Sequence, residues 1–156
     1  MKKITDYPDL IEFVKVEEGL KLESYGDIGG VLTIGYGHTG PDVKTGEVIT
    51  QTEANNLLIE DLTKALNDVY DIIPSKYYED DGVMKSLTDF VFNLGAHNLQ
   101  ISLILTCLKN NDKIGASNDF SHFAYFRKNG KLTLSEGLLK RRLKEKTCFL
   151  TGKFGE

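Results

Sequence analysis

The sequence has no tryptophan, only two cysteines, and no apolar run long enough to matter to a membrane. Cys107 and Cys148 make no CxxC pair and have no pair of histidines nearby, which excludes the usual zinc patterns. Both stand among apolar neighbours and read as free buried thiols, with a bridge between them left open. The longest uncharged run, Leu94 to Leu108, is interrupted by Asn98, Gln100, Ser102 and Thr106. It therefore falls short of the roughly 20 apolar residues of a spanning helix, and no stable membrane insertion is expected. Near the N-terminus Asp6, Asp9 and Glu12 break up any apolar stretch, so no signal peptide is expected and synthesis in the cytoplasm is. An excess of cations is also missing. The formal net charge is −4, which argues against nucleic acid as a partner. One local exception is the cluster Lys140, Arg141, Arg142, Lys144 and Lys146. Internal repeats, low-complexity segments and flexible linkers are absent as well.

What is present describes one soluble globular domain. A chain of 156 residues can bury one core and is short for two ordinary domains. Pro8 suits a first helical turn, Leu10, Ile11, Phe13 and Val14 recur at helical spacing, and Gly19 stops the helix after Glu17-Glu18. Residues 20–50 are rich in glycine, with Val31-Leu32-Thr33-Ile34 the clearest strand and Glu47-Val48-Ile49 a second candidate. Thr50-Gln51-Thr52-Glu53 fits a capping box. A long helix should follow, carrying Leu57, Leu58, Leu62, Leu66, Val69 and Ile73 on one stripe until Pro74 ends it. The remainder reads as helices over 82–94, 98–109, 112–120, 121–126 and 135–150, the last capped by Ser135 and stopped by Gly152. The expected class is α+β, mainly α. A small β-hairpin lobe (19–50) and a larger helical lobe (1–18 and 75–156) are joined by the long helix 51–73, with a cleft between the lobes as the expected ligand site.

Two carboxylates and a hydroxyl carry the candidate chemistry: Glu18, Asp27 nine residues on, and Thr33 six residues later. Glycosidic cleavage needs one carboxyl that keeps its proton for the leaving oxygen and a second acidic group on the other face. Glu18 falls in the last turn of the first helix, where the negative end of the dipole and partial burial oppose ionisation. Asp27 lies in a solvated Gly-rich turn and should stay ionised. Thr33 is placed to help it hold a water. Taken singly, each has a blander reading: a surface charge, a turn former, a strand residue.

Glu18-Gly-Leu-Lys-Leu-Glu-Ser-Tyr-Gly-Asp27-Ile-Gly-Gly-Val-Leu-Thr33-Ile-Gly-Tyr-Gly-His38-Thr39 resembles the signature of the phage-type lysozymes, the endolysin muramidases. Phe92-Asn93-x-Gly95 is similar to that family's core helix end, and Gly137-Leu138 followed by Arg141-Arg142 and Glu145 to its last helix. The resemblance implies a lysozyme-like fold, with Glu18 as general acid, Asp27 as the carboxylate that orients or activates water, and Thr33 as its partner. It selects Glu18 over Glu17, which lies about 100° away around the helix, and over Glu23. It also implies inversion at the anomeric carbon and no metal or organic cofactor. By motif order it places Thr39, Phe92 and Ser102 at sugar-contacting positions and Arg141 near the acid, as substrate anchor or partner. The family often carries a tryptophan where Leu32 stands and another where Phe123 stands. Stacking on sugars would then fall to tyrosines such as Tyr36.

Two features are set aside. Gly35-Tyr-Gly37-His-Thr-Gly40 matches a dinucleotide fingerprint literally, but Pro41 to Gly46 reads as a loop where a helix is required. His38, with His97 and His122 scattered, reads as a structural hydrogen-bonding residue rather than a metal ligand.

The expected activity is hydrolysis of β-1,4 bonds between N-acetylmuramic acid and N-acetylglucosamine in peptidoglycan, with cell lysis as the result. A net negative charge counts against binding a polyanionic wall. A monomer is expected, reaching the wall after release by a holin-type partner. Rival readings are a lytic transglycosylase, a secreted antibacterial toxin on the same fold, and a wall-binding module without catalysis.

Overall fold

The computed structural model describes residues 1–26 and 29–155. Asp27 lies outside the described residues. The chain is mainly helical with small antiparallel sheets. It groups into two compact units, Lys2–Lys64 and Ala65–Glu156, the latter with Met1. The first helix groups with the sheet. The long helix α2 (Gln51–Ile72) runs through the boundary.

In the first unit, α1 (Pro8–Glu18) starts with Pro8 at its first helical position and buries Leu10 and Val14. The sheet follows in the order β1 (Lys21–Gly26), β2 (Leu32–Gly35), β3 (His38–Thr39), all antiparallel. The expected strand at Val31 is realised one residue later. Glu47-Val48-Ile49 makes only a single bridge, Val48 to Glu23, flanked by Ser24 N–H to Glu47 O (2.9 Å) and Ile49 N–H to Leu22 O (2.8 Å). The Thr50 hydroxyl accepts from Glu53 N–H at 3.1 Å, the expected cap of α2. From this unit α2 buries Ala54, Leu58 and Leu62, and β2 buries Ile34.

The second unit is built on α3 (Asp81–Leu94) and α7 (Glu136–Thr151), which pack along one another. Their approach is close: a Cβ on Gly82 would lie 2.5 Å from Cys148 O. Lys85 Nζ donates to Gly152 O at 2.6 Å, satisfying a carbonyl just past the end of α7. Phe90, Phe120, Phe123 and Phe149 meet edge to face, with centroids 5.0–5.8 Å apart. Cys148 is buried, Cys107 is partly exposed, and both are free thiols.

Buried among these aromatics is an ion network. Arg141 grips Asp89 bidentately, Nε to Oδ2 at 3.0 Å and NH2 to Oδ1 at 2.7 Å. Arg142 NH2 donates to Glu145 Oε1 (2.8 Å) and Asn93 Oδ1 (2.7 Å), with its guanidinium over Phe90. Burial pushes the Asp89 carboxyl up, but the Arg141 charge and its hydrogen bonds outweigh that and hold it below the usual carboxylate range. Burial and the neighbouring Asp89 charge push Glu145 well up, against the pull of both arginines.

Two expected helices are replaced. The run 98–109 is not one helix but α4 (Ala96–Gln100) and α5 (Leu103–Lys109), because Ser102 adopts an extended backbone and its Oγ caps Leu105 N–H. The expected helix 121–126 is a 3-10 turn (Phe120–Phe123) followed by a hairpin, β4 (Tyr125–Lys128) and β5 (Lys131–Leu134). Asn129 (φ 51°) and Gly130 (φ 75°) form its left-handed turn. The segment 112–120 holds the short α6 (Lys113–Asn118).

Replacing Asp89 with leucine removes the carboxylate that the buried Arg141 grips bidentately. Asp89→Leu should cost about 3–5 kcal/mol, read as a fall in the urea midpoint of unfolding.

Candidate active site

Glu18 is the last residue of α1. Gly19 takes a left-handed φ of 68° and its N–H closes the helix on Lys15 O at 3.0 Å. The Glu18 side chain is half-buried and lies on the turn between β2 and β3. Because Ile34 pairs with His38, that turn is Gly35-Tyr36-Gly37, with positive φ at both glycines (66° and 74°). A Cβ at position 37 would stand 2.6 Å from Glu18 Oε2 and 3.1 Å from its carboxyl carbon. Glycine here meets two demands together, a left-handed backbone and the contact with the acid.

The turn is tied down on both sides. The Tyr36 ring is buried and its hydroxyl accepts from Gln51 Nε2 at 3.0 Å, with Lys15 Nζ 5.7 Å from the ring centroid. His38 is held through both ring nitrogens, Nδ1 to Asp61 Oδ2 at 2.7 Å and Nε2 to Asp42 Oδ2 at 2.9 Å. The protonated ring can donate to both carboxylates at once, whereas a neutral ring donates through one nitrogen only. Burial of the ring works against that charge, but the hydrogen bonds and charges of Asp61 and Asp42 outweigh it and raise the His38 pKa above 6.5. The His38 bond pulls Asp42 down, whereas burial leaves Asp61 up despite the same partner.

Thr33 is buried on β2, the strand that feeds this turn, and its hydroxyl donates to Val31 O at 3.3 Å. Thr39 is exposed on β3. In the second unit Phe92 is half-buried on α3. Ser102 is buried, with its Oγ donating to Leu99 O and accepting from Leu105 N–H. Arg141 is the bidentate partner of Asp89. After Gly40 the chain runs as a loop to α2, so the glycine pattern of 35–40 serves a turn and no dinucleotide site. Among the described residues no group of His, Cys, Asp and Glu could hold a metal ion, and no helix is long and apolar enough to cross a membrane.

Sequence reasoning identified His38 as a structural hydrogen-bonding residue but missed its partners. Asp42 is four residues away in a loop, and Asp61 comes from α2 with no local pattern to mark it.

The comparisons with known proteins define the class as that of the lysozyme-type glycosidases. The family model described as phage lysozyme matches residues 15–145. An endolysin of Acyrthosiphon pisum secondary endosymbiont phage 1 is 36% identical, over 87% of this chain and 91% of its own length. A SAR-endolysin of bacteriophage PS119 is 34% identical, over 87% and 78%. Among solved structures, an endolysin from Escherichia coli O157:H7 phage FAHEc1 superposes with a TM-score of 0.84 at 28% identity, covering 96% of this chain and 95% of that one. The muramidase domain of SpmX from Asticaccaulis excentricus gives 0.82 at 27%, covering 92% and 96%. The chain belongs to the phage lysozyme family.

The His38 clamp makes stability depend on pH. A raised folded-state pKa means that the His38 contribution is fully present below pH 6.5 and is lost as pH rises through the folded value. Asp42 acts oppositely: its contribution is present above 3.8 and is lost as pH falls through its lowered value. His38→Asn should therefore lose about 1.5–3 kcal/mol in mildly acidic buffer. The gap to the native protein should narrow as pH rises, in urea unfolding repeated across pH.

Proposed function

We propose that this lysozyme hydrolyses the β-1,4 bond between N-acetylmuramic acid and N-acetylglucosamine in peptidoglycan, with Glu18 as general acid. The observation that carries this reading is the Glu18 carboxylate at the end of α1, half-buried and seated on Gly37 beside the strand of Thr33. A carboxyl in that place can reach the leaving oxygen of a bound glycan and donate its proton there. Asp27, nine residues on in sequence, is assigned the water-activating role and Thr33 the support of that water. The glycosidic bond breaks as Glu18 protonates the departing oxygen. Water adds to the anomeric carbon from the opposite face as Asp27 accepts its proton. Direct attack by water, with no covalent intermediate, gives inversion at the anomeric carbon.

Sugar contacts are proposed for Thr39 and Phe92, each the accessible member of its unit's candidates. Tyr36, Ser102 and Arg141 act from beneath, since each is buried and already bonded to protein. The enzyme works as a monomer without a cofactor, is made in the bacterial cytoplasm, and is released to the wall through a holin-type partner. A transglycosylase needs only the acid and would leave an anhydro sugar, so the placement of Thr33 and the Asp27 motif disfavours it.

Glu18→Gln should slow the clearing of a cell-wall suspension by about 10²–10⁴-fold, because an amide cannot donate the proton. Equal clearing by the two proteins would remove Glu18 from the role of acid. Proton NMR of the first-formed reducing end should show the α-anomer, the inverted product of a β-bond. A β-anomer would reassign Asp27 as nucleophile, and an anhydro end would make the enzyme a transglycosylase.

A further inference from the structure

We propose that Gly37 and His38 are positioning residues for Glu18, forming a buttress that runs from α2 through the β2–β3 turn to the acid; this rests on Glu18 being the general acid. The chain of contacts is short and each link is specific. Asp61 on α2 holds His38 Nδ1 at 2.7 Å, and His38 is the first residue of β3. Gly37 precedes it and faces the Glu18 carboxylate, so closely that one added carbon would overlap Oε2. On the other side of the turn Tyr36 is tied to Gln51 at the start of α2. The turn is thus fixed to α2 through Tyr36 and His38, and Gly37 between these two anchors is the surface on which the acid rests.

A Glu side chain at a helix terminus has three rotatable bonds and no neighbouring turn of helix beyond it. Something outside the helix must select the rotamer that faces the substrate, because a displacement of about 1 Å costs about 10²-fold in rate. Gly37 supplies that surface and His38 keeps it in place. Asp42 is the weaker anchor: its side chain is 61% exposed, against 29% for Asp61.

The test compares Gly37→Ala, Asp61→Asn and Asp42→Asn with the native protein and Glu18→Gln. Turnover of solubilised wall glycan is measured as kcat and KM, with thermal unfolding followed in parallel. Gly46→Ala is the control. Gly46 has nearly the same left-handed φ (75°) but open space where a Cβ would go, so it carries the backbone strain without the clash. Gly37→Ala should lower kcat at least 100-fold with KM within about threefold of native, while Gly46→Ala keeps native kcat. Asp61→Asn should lower kcat about tenfold at temperatures where it is fully folded, and Asp42→Asn less. Native kcat in Gly37→Ala, with Glu18→Gln inactive, would overturn the buttress and leave the acid assignment standing. Activity in Glu18→Gln would overturn the assignment itself. Should Gly37→Ala not fold, Asp61→Asn decides, and an unchanged kcat there overturns the proposal.

Discussion

The double grip on His38 is the constraint from which the sheet-bearing unit takes its working shape. Its strands are short, β3 only two residues, and a sheet of that size does not hold a turn by backbone bonds alone. What adds to them is the His38 ring, held between two carboxyl groups, one from the loop after β3 and one from α2. A neutral imidazole could donate to only one of them. The two bonds of the His38 ring, the positive φ at Gly35 and Gly37 and the resting place of Glu18 are therefore parts of one arrangement.

The helical unit solves a different problem with similar chemistry. Asp89, Arg141, Arg142 and Glu145 are buried where hydrophobic residues would pack as well, and buried ion pairs of this kind are weak sources of stability. Their effect lies in geometry. Arg141 and Arg142 are adjacent on α7, yet each is committed to its own partner set on α3 and α7, which sets the rotation of α7 against α3. The basic cluster noticed in the sequence is thereby reduced at the surface. Two of its five cations are internal, and Lys140 and Lys144 line a shallow groove on α7 with Leu143 and Thr147.

Much of this was legible in the residues. Pro8, Gly19, Thr50, Pro74, Gly95, Ser135 and Gly152 mark helix ends by local chemistry, and the helices begin or stop there. Where a break depended on one side chain inside an apolar run, as at Ser102, the apolar pattern concealed it. The hairpin 125–134 was missed in favour of a helix over 121–126, because its cations and mostly exposed residues gave no buried face for periodicity to reveal. At the candidate site, Glu18 and Thr33 were singled out through the family resemblance, with spacing alone too weak to do so. Asp61 was not, because a salt bridge across 23 residues leaves no local trace. The contact of Gly37 with Glu18 could be known only once the backbone was placed.

The separations along the chain carry a kinetic consequence. The His38–Asp61 link closes a loop of 23 residues, whereas Arg142–Asn93, Arg141–Asp89 and Lys85–Gly152 close loops of 49, 52 and 67. Loop-closure entropy grows only logarithmically, so the longest of these costs about 1 kcal/mol more than the shortest. The difference still favours early assembly of the acid-bearing unit, from local contacts, over the docking of α7 on α3. The contacts beneath Glu18 thus span shorter stretches of chain than those that join α3 to α7.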